Sequence, residues 1–245
     1  YATGNAVVNA AHQVRSILFE VAAKDLNVPT KDLVAQKGKI FIRGSPERSV
    51  NIDAIANKAI YELGKALIGH GSFMRPVSKL DPVTGRIDPF ATLAWTAVQA
   101  EVEVDTETGV VDVLKLTSVV DAGKAINPML VEGQIEGGAV MGMGAALMEH
   151  LHPYYPALKW QPENLGDYVT PTAMDVPELV DKIYECPSTG GPYGVKGIGE
   201  FTANAPSPAI MNAVHDAVGV WIDELPITPE KVLRALDRKK TRAGT

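Results

Sequence analysis

A glycine-rich segment in the last quarter of the chain constrains its fold more than any other feature. Residues 190–200 read GGPYGVKGIGE and carry five glycines before the closing Glu200. A packed helix or strand disfavours such a run, because glycine loses much conformational freedom on folding and offers no side chain to a core. The run predicts a loop whose backbone approaches a bulky ligand, with Glu200 pointing into the same cavity. The alternative is a surface turn that ends on a solvated carboxylate.

A second glycine-rich segment follows the best hairpin signal. Apolar and polar residues alternate over 98–105, a TETG turn follows, and an apolar-rich return strand covers 111–120. Asn127 and Pro128 then have the residue types of a helix N-cap and first helical position. The predicted helix over 129–150 holds five glycines, each of which costs about 1 kcal/mol relative to alanine. Either a helix crossing or a large planar cofactor must therefore press close to one face.

The remaining pattern predicts helices and short strands in a mixed order. An amphipathic helix is expected over 5–24, a short hairpin over 33–43, and a polar connection over 69–89. Further helices are expected over 49–63, 207–217 and 228–237, with Ser49, Ser207 and Thr228 as their caps. Residues 151–191 carry six prolines and are expected to form a long loop. Together these elements predict an α+β fold, with helices packed on mixed or antiparallel strands.

Two motifs in this order resemble the molybdenum hydroxylases, the xanthine dehydrogenase and aldehyde oxidase family. They are DAGKAINP followed by GQIEGGAVMGMG over 121–144, and the GVKGIGE loop over 194–200. The similarity runs from TGNAV at residues 3–7 to PITPEK at residues 226–231. It implies that residues 1–245 form the C-terminal part of a molybdopterin-binding subunit, with the cofactor-binding fold of that family. The chain opens on Tyr1 in a helical pattern, and we expect either a fragment or one subunit of a split protein.

The resemblance also implies roles for individual residues. Glu200 matches the catalytic base of the family, a carboxylate that takes a proton during hydroxylation. Gln134 matches a glutamine beside the cofactor. The other expected cofactor-binding residues are four glycines, beside which the backbone can approach the pterin, and one lysine, which can balance its charge. They are Gly137, Gly138, Gly197, Gly199 and Lys196. Lys196 has an alternative as the partner of a carboxylate on the protein surface, and no residue of this chain is predicted to ligate a metal.

The implied reaction is hydroxylation of an aldehyde or an N-heteroaromatic carbon, purine-like or nicotinate-like, with water as the oxygen source. The implied cofactor is molybdopterin, with a cytosine dinucleotide as one possible form. Two alternatives stay open: a reductive dehydroxylase of aromatic thioesters, resembling 4-hydroxybenzoyl-CoA reductase, and a non-catalytic assembly subunit. The intact Glu200 favours an enzyme over the assembly subunit.

Composition narrows the expected partners. The net charge of −6 argues against nucleic acid as the main partner, and no apolar run reaches the roughly 18 residues of a membrane span. Cys186 is the single cysteine, which is too few for a cysteine-ligated cluster and fits a cytoplasmic protein. We therefore expect a [2Fe-2S] cluster and FAD on partner chains, beside the remaining molybdopterin-binding chain and a small-molecule substrate. Four aromatic residues are candidates for a substrate channel, but we favour the alternative that they pack the long loop onto the domain or onto a partner: Tyr154, Tyr155, Trp160 and Tyr168.

Overall fold

The computed structural model describes residues 1–75, 78–150, 166 and 168–243. These residues form two compact units. Unit 1 comprises Tyr1–Ala91 and Gly190–Pro192, and unit 2 comprises Thr92–Thr189 and Tyr193–Thr245.

Unit 1 is built on the long amphipathic helix that the sequence predicts. Helix α1 spans Ala2–Leu26 and ends where Asn27 takes up a left-handed conformation, two residues before Pro29. Strands β1 (Leu33–Gln36), β2 (Lys39–Ile42) and β3 (Ser45–Asn51) form an antiparallel sheet in that order. Apolar residues of α1 and of the sheet share one core, which includes Phe19, Leu33 and Ile40.

The predicted cap of the second helix in unit 1 is wrong. Ser49 lies in β3, paired with Phe41. Helix α2 (Ile52–Asn57) begins after Asn51 and continues into a π-helical segment over Lys58–Glu62. The backbone of Ser49 pairs with β2, and this pairing takes precedence over a local cap.

Unit 2 contains the predicted long hairpin. Strands β4 (Thr96–Val104) and β5 (Val111–Asp121) pair antiparallel, and their inward-facing side chains alternate as the sequence pattern requires. The predicted loop over 151–191 is wrong in one part, because Glu178–Tyr184 forms strand β6, which pairs parallel with β5. The sheet is therefore mixed: its central strand β5 pairs antiparallel with β4 and parallel with β6.

The helices of unit 2 cover this sheet. Helix α3 spans Pro128–Leu147, α4 spans Phe201–Asn204, α5 spans Pro206–Val218 and α6 spans Pro229–Ala243. The start of α3 is as predicted: Asn127 Oδ1 accepts a hydrogen bond from Leu130 N, and Pro128 is the first helical residue. Ser207 is not a cap as predicted, since it lies inside α5 and its Oγ donates to Gly142 O at 2.6 Å.

The core of unit 2 joins α3, α5, α6 and the sheet. Buried Leu116, Met143 and Ile210 belong to the main cluster, and Val120 and Ile135 to a second one beside the start of α3. Within the described ranges, no helix is both long and apolar enough to cross a membrane.

Candidate functional site

The glycines of α3 serve two different faces. A Cβ on Gly138 would overlap Thr202 of α4, whose own Cβ would be 2.6 Å away, and a Cβ on Gly142 would lie 2.8 Å from Pro206 Cβ. These two glycines therefore admit the α4–α5 segment. A helix crossing thus accounts for Gly138, and its predicted contact with a cofactor stays a prediction.

The neighbouring face of α3 is open. Gly133, Gln134 and Gly137 are exposed, and a Cβ on either glycine would have no described atom within 4 Å. At 3.6 residues per turn, Leu130 and Met141 lie on the same face, with exposed fractions of 63% and 61%. A large ligand can therefore approach the helix backbone along Gly133 and Gly137, with the Gln134 amide beside it.

The first half of the glycine loop is attached to the end of β5. Gly123 and Val195 form a β-bridge, Lys196 N donates to Ala122 O at 3.1 Å, and Lys124 N donates to Gly194 O at 2.9 Å. Gly123 makes this approach possible, because a Cβ there would lie 2.7 Å from Lys196 N and its φ of +67° suits glycine.

A buried ion pair reinforces the same attachment. Lys196 Nζ lies 2.6 Å from Asp121 Oδ2, and the two side chains are only 9% and 4% exposed. Asp121 Oδ1 also accepts a hydrogen bond from Gly123 N. The structure thus gives Lys196 a carboxylate partner, as in the alternative considered from the sequence, although that partner is buried. Its predicted role toward a cofactor stays a prediction.

The second half of the loop is open. Gly197 and Gly199 are exposed, and within the described ranges no atom lies closer than 4 Å to a Cβ built on either. Glu200 is the N-cap residue of α4 and is exposed. Among the described residues, no hydrogen-bond or ion-pair partner lies beside the exposed Glu200 carboxylate.

Thr202 joins the open loop to α3. Its Oγ1 lies 2.9 Å from Gly199 O and 3.2 Å from Gln134 O. The two predicted motifs therefore meet, because the Thr202 hydroxyl contacts both the carbonyl oxygen of Gln134 and that of Gly199, the residue before Glu200. The sequence analysis assigned no role to Thr202. The signal that could have indicated a close neighbour of α3 is the glycine at position 138, inside the helix.

An acidic group lies on the opposite flank of α3. Burial, and then the charges of Glu136 and Glu132, raise the pKa of Asp181 on β6 to about 6. Its Oδ1 is shielded from solvent without a hydrogen-bond partner among the described residues.

The predicted channel aromatics are mostly outside the described residues. Tyr154, Tyr155 and Trp160 lie there. Tyr168 is described, and its hydroxyl donates to Glu149 Oε2 at 2.5 Å, beyond the end of α3. This contact favours a packing role for Tyr168.

The open surface fits a bulky planar cofactor. Four exposed glycines lie on α3 and on the loop, the exposed Gln134 lies on the same face of α3, and an exposed carboxylate lies at the loop end. Among the described residues, no group of three or more His, Cys, Asp or Glu side chains is arranged to hold a metal ion.

The sequence model of the molybdopterin cofactor-binding domain matches residues 1–177. The chain belongs to this family, that of the molybdenum hydroxylases. The match includes Gln134, Gly137 and Gly138 and ends before the glycine loop. The predicted resemblance is thereby confirmed, as is the α+β cofactor-binding fold.

One member of this family extends the similarity across the glycine loop. The chain is 38% identical over 236 residues to the nicotine 6-hydroxylase large subunit of Paenarthrobacter nicotinovorans, covering 95% of this chain and 28% of that protein. It is 38% identical over 163 residues to the aldehyde oxidoreductase of Megalodesulfovibrio gigas, covering 64% of this chain and 17% of that protein. The chain thus spans less than a third of the length of these relatives.

Solved structures show the same fold. Quinoline 2-oxidoreductase from Pseudomonas putida 86 superposes with a TM-score of 0.77 at 30% identity, covering 93% of this chain and 28% of that one. The Cu,Mo-CO dehydrogenase superposes with a TM-score of 0.75 over 96% of this chain and 29% of that one, and at 22% identity this likeness concerns the fold alone.

Proposed function

We propose that this chain is the C-terminal part of a molybdenum-binding subunit that hydroxylates an aldehyde or an N-heteroaromatic carbon with water as the oxygen source. Both units, residues 1–245, would belong to that part. The observation that carries the proposal is the free, exposed Glu200 carboxylate at the end of a glycine loop that Thr202 holds against α3.

The molybdenum cofactor, when bound, would accept the hydrogen and the two electrons of the substrate C–H bond that breaks as the new C–O bond forms. The residues of this chain provide its surroundings. Gly133 and Gly137 on α3, with Gly197 and Gly199 on the loop, leave room for the pterin, and the Gln134 amide donates a hydrogen bond to it. Gly138 and Lys196 act on the site by holding α4 and the loop in place.

Glu200 is the general base. As the water-derived oxygen bonds to the substrate carbon, a carboxylate oxygen of Glu200 takes up the proton of that oxygen, which makes it a better nucleophile. The open glycines on either side of Ile198 leave the carboxylate accessible to a substrate. Such a base contributes about 10²-fold or more to the rate.

Partner chains would complete the enzyme. Several relatives are named as parts of larger assemblies, including the 6-hydroxypseudooxynicotine dehydrogenase complex subunit gamma. We propose that the remaining molybdopterin-binding portion, a [2Fe-2S] cluster and FAD accompany this chain, and that the assembly operates in the cytoplasm. The single cysteine of the chain supports a cluster on another chain, because a [2Fe-2S] cluster needs several cysteine ligands.

The proposal is tested with the assembled enzyme in ¹⁸O-labelled water and an artificial electron acceptor. Aldehydes and N-heteroaromatics are supplied in parallel. We expect at least one class to yield a hydroxylated product that carries ¹⁸O. Unlabelled product, or turnover only of aromatic thioesters under reducing conditions, would contradict the proposal.

A further inference from the structure

We propose that Thr202 is a positioning residue for Glu200, and that its hydroxyl keeps the glycine loop in register with the cofactor-facing helix α3. The inference rests on the proposed function of Glu200 as the base. Thr202 itself touches neither substrate nor cofactor in this account.

The contacts of Thr202 end on the peptide that carries the base. Gly199 O accepts hydrogen bonds from both Thr202 Oγ1 at 2.9 Å and Thr202 N at 3.3 Å, and Gly199 directly precedes Glu200. The same Oγ1 lies 3.2 Å from Gln134 O on α3. One hydroxyl thus connects the backbone beside the base to the backbone of the predicted cofactor ligand.

The site is built around this hydroxyl. Thr202 is only 4% exposed, so water does not readily replace its hydrogen bonds. Gly138 is shaped to receive it, because a Cβ at that position would lie 2.8 Å from the Thr202 carbonyl carbon and overlap the side chain. By contrast, no described atom lies within 4 Å of a Cβ built on Gly197 or Gly199.

The distance of Glu200 from the substrate therefore depends on Thr202. A misplacement of about 1 Å at a reacting group can cost on the order of 10²-fold in rate. Substrate binding depends on other residues, so loss of the hydroxyl should lower kcat and leave KM nearly unchanged.

Thr202→Val tests this with nearly unchanged shape, and Thr202→Ser restores the hydroxyl. Ser207→Ala is the matched control, since Ser207 Oγ also donates to a carbonyl of α3, that of Gly142, away from the glycine loop. All variants are made in the assembled enzyme and compared at equal molybdenum content. If the valine variant does not fold, Thr202→Ala serves the same purpose.

We expect Thr202→Val to lower kcat about tenfold or more, with KM within about twofold of wild type. Amide hydrogen exchange over residues 197–204 should quicken in the same variant. Thr202→Ser and Ser207→Ala should retain kcat and the wild-type exchange over that segment.

Three outcomes overturn the inference. One is normal kcat and exchange in Thr202→Val. Another is an equal loss in Ser207→Ala, which would indicate general packing. The third is no rescue by serine. Glu200→Gln is measured alongside: if that variant stays active, the proposed function fails, whereas an inactive Glu200→Gln beside a fully active Thr202→Val refutes only the positioning role.

Discussion

At the scale of single residues, the site depends on polar groups that are buried from solvent and bond to each other instead of to water. Asp121 and Lys196 are buried together at the base of the glycine loop. Removing one member of such a pair leaves an uncompensated charge in a poorly solvated place. The pair therefore anchors the loop as long as both members are present.

Replacing Lys196 with Met should lower the free energy of unfolding by about 3–5 kcal/mol. Asp121→Asn should have a similar effect, and the double variant should lose less than the sum of the two. The matched control is Lys115→Met, which breaks the more exposed pair with Glu178 and should cost at most about 1 kcal/mol. Denaturant unfolding followed as a double-mutant cycle measures all four values, and a coupling near zero for Asp121 and Lys196 would refute the anchor.

Asp181 gives the stability of unit 2 a pH dependence. Its pKa is about 6 in the folded protein and 3.8 in the unfolded chain, so the folded state binds the proton more tightly. The resulting stabilisation is present below about pH 4 and is lost as the pH rises through 6.

Asp181→Asn should therefore stabilise the protein at pH 7–8, by about 1 kcal/mol once partial solvent screening is allowed for, and have little effect at pH 4. The control is Asp105, whose pKa is lowered by hydrogen bonds from the Thr108 side chain and from the Glu107 and Thr108 amides. Asp105→Asn removes a stabilisation that is present at neutral pH and disappears on acidification, which is the opposite sign. Thermal unfolding over pH 2–8 distinguishes the two, because the effect of Asp105→Asn fades only below about pH 4. Identical profiles would contradict the assignment.

At the scale of elements, one face of α3 packs against α4, and we expect a ligand to approach the neighbouring face. Gly138 faces α4, whereas Gly137, one residue earlier, faces open space. The same substitution at the two positions should therefore have different consequences.

Gly138→Val should lower the melting temperature, because the added side chain overlaps Thr202 and its neighbours. Gly137→Val should leave the melting temperature near that of wild type and lower the molybdenum content of the assembled enzyme. Both quantities are measured on the same preparations. Normal molybdenum content in Gly137→Val would show that this face does not meet the cofactor.

The sequence predicted the elements whose signals are local. The alternation over β4 and β5, the apolar stripe of α1 and the Asn127–Pro128 start of α3 each depend on a few neighbouring residues. Strand β6 was missed because it is seven residues long, lies among prolines, and is stabilised by parallel pairing with a strand far away in sequence. Ser49 and Ser207 have the residue type of a helix cap. Instead, Ser49 pairs with Phe41 of β2, and Ser207 Oγ donates to Gly142 O of α3.

The candidate site was predictable in its residue types and only partly in its geometry. Two glycine motifs indicated that Gln134 and Glu200 belong together, and Thr202 does connect them. The sequence contained no sign that Gly137 and Gly138 face different surroundings, or that Lys196 is buried against Asp121. Those facts depend on which helix face α4 covers and on where β5 ends.

At the scale of the whole molecule, charge is unevenly distributed. Unit 1 contains 12 Lys and Arg against 8 Asp and Glu, a net charge of +4, so that unit 2 carries −10 and the whole chain −6. Large apolar side chains are also exposed, among them Met74 at 90%, Val83 at 91% and Trp95 at 73%. Such surfaces are typical of proteins that bury them against partners.

Expressed alone, the chain should therefore lack molybdenum and dye-linked dehydrogenase activity, and it should self-associate. Coexpression with the remaining molybdopterin-binding portion should yield a stable, metal-loaded complex. Light scattering, metal analysis and activity assays on the two preparations test this. A monodisperse, active, molybdenum-loaded chain by itself would refute the need for a partner.

The central claim is that Glu200 takes the proton in the step that oxidises the substrate. Its most direct test is the single-turnover rate at which substrate reduces the enzyme, compared between wild type and Glu200→Gln at equal molybdenum content. Glu107→Gln, at an exposed hairpin turn, is the control for loss of a surface carboxylate. We predict a loss of about 10²-fold or more for Glu200→Gln and no change for Glu107→Gln. A Glu200→Gln rate within a few-fold of wild type would contradict the account.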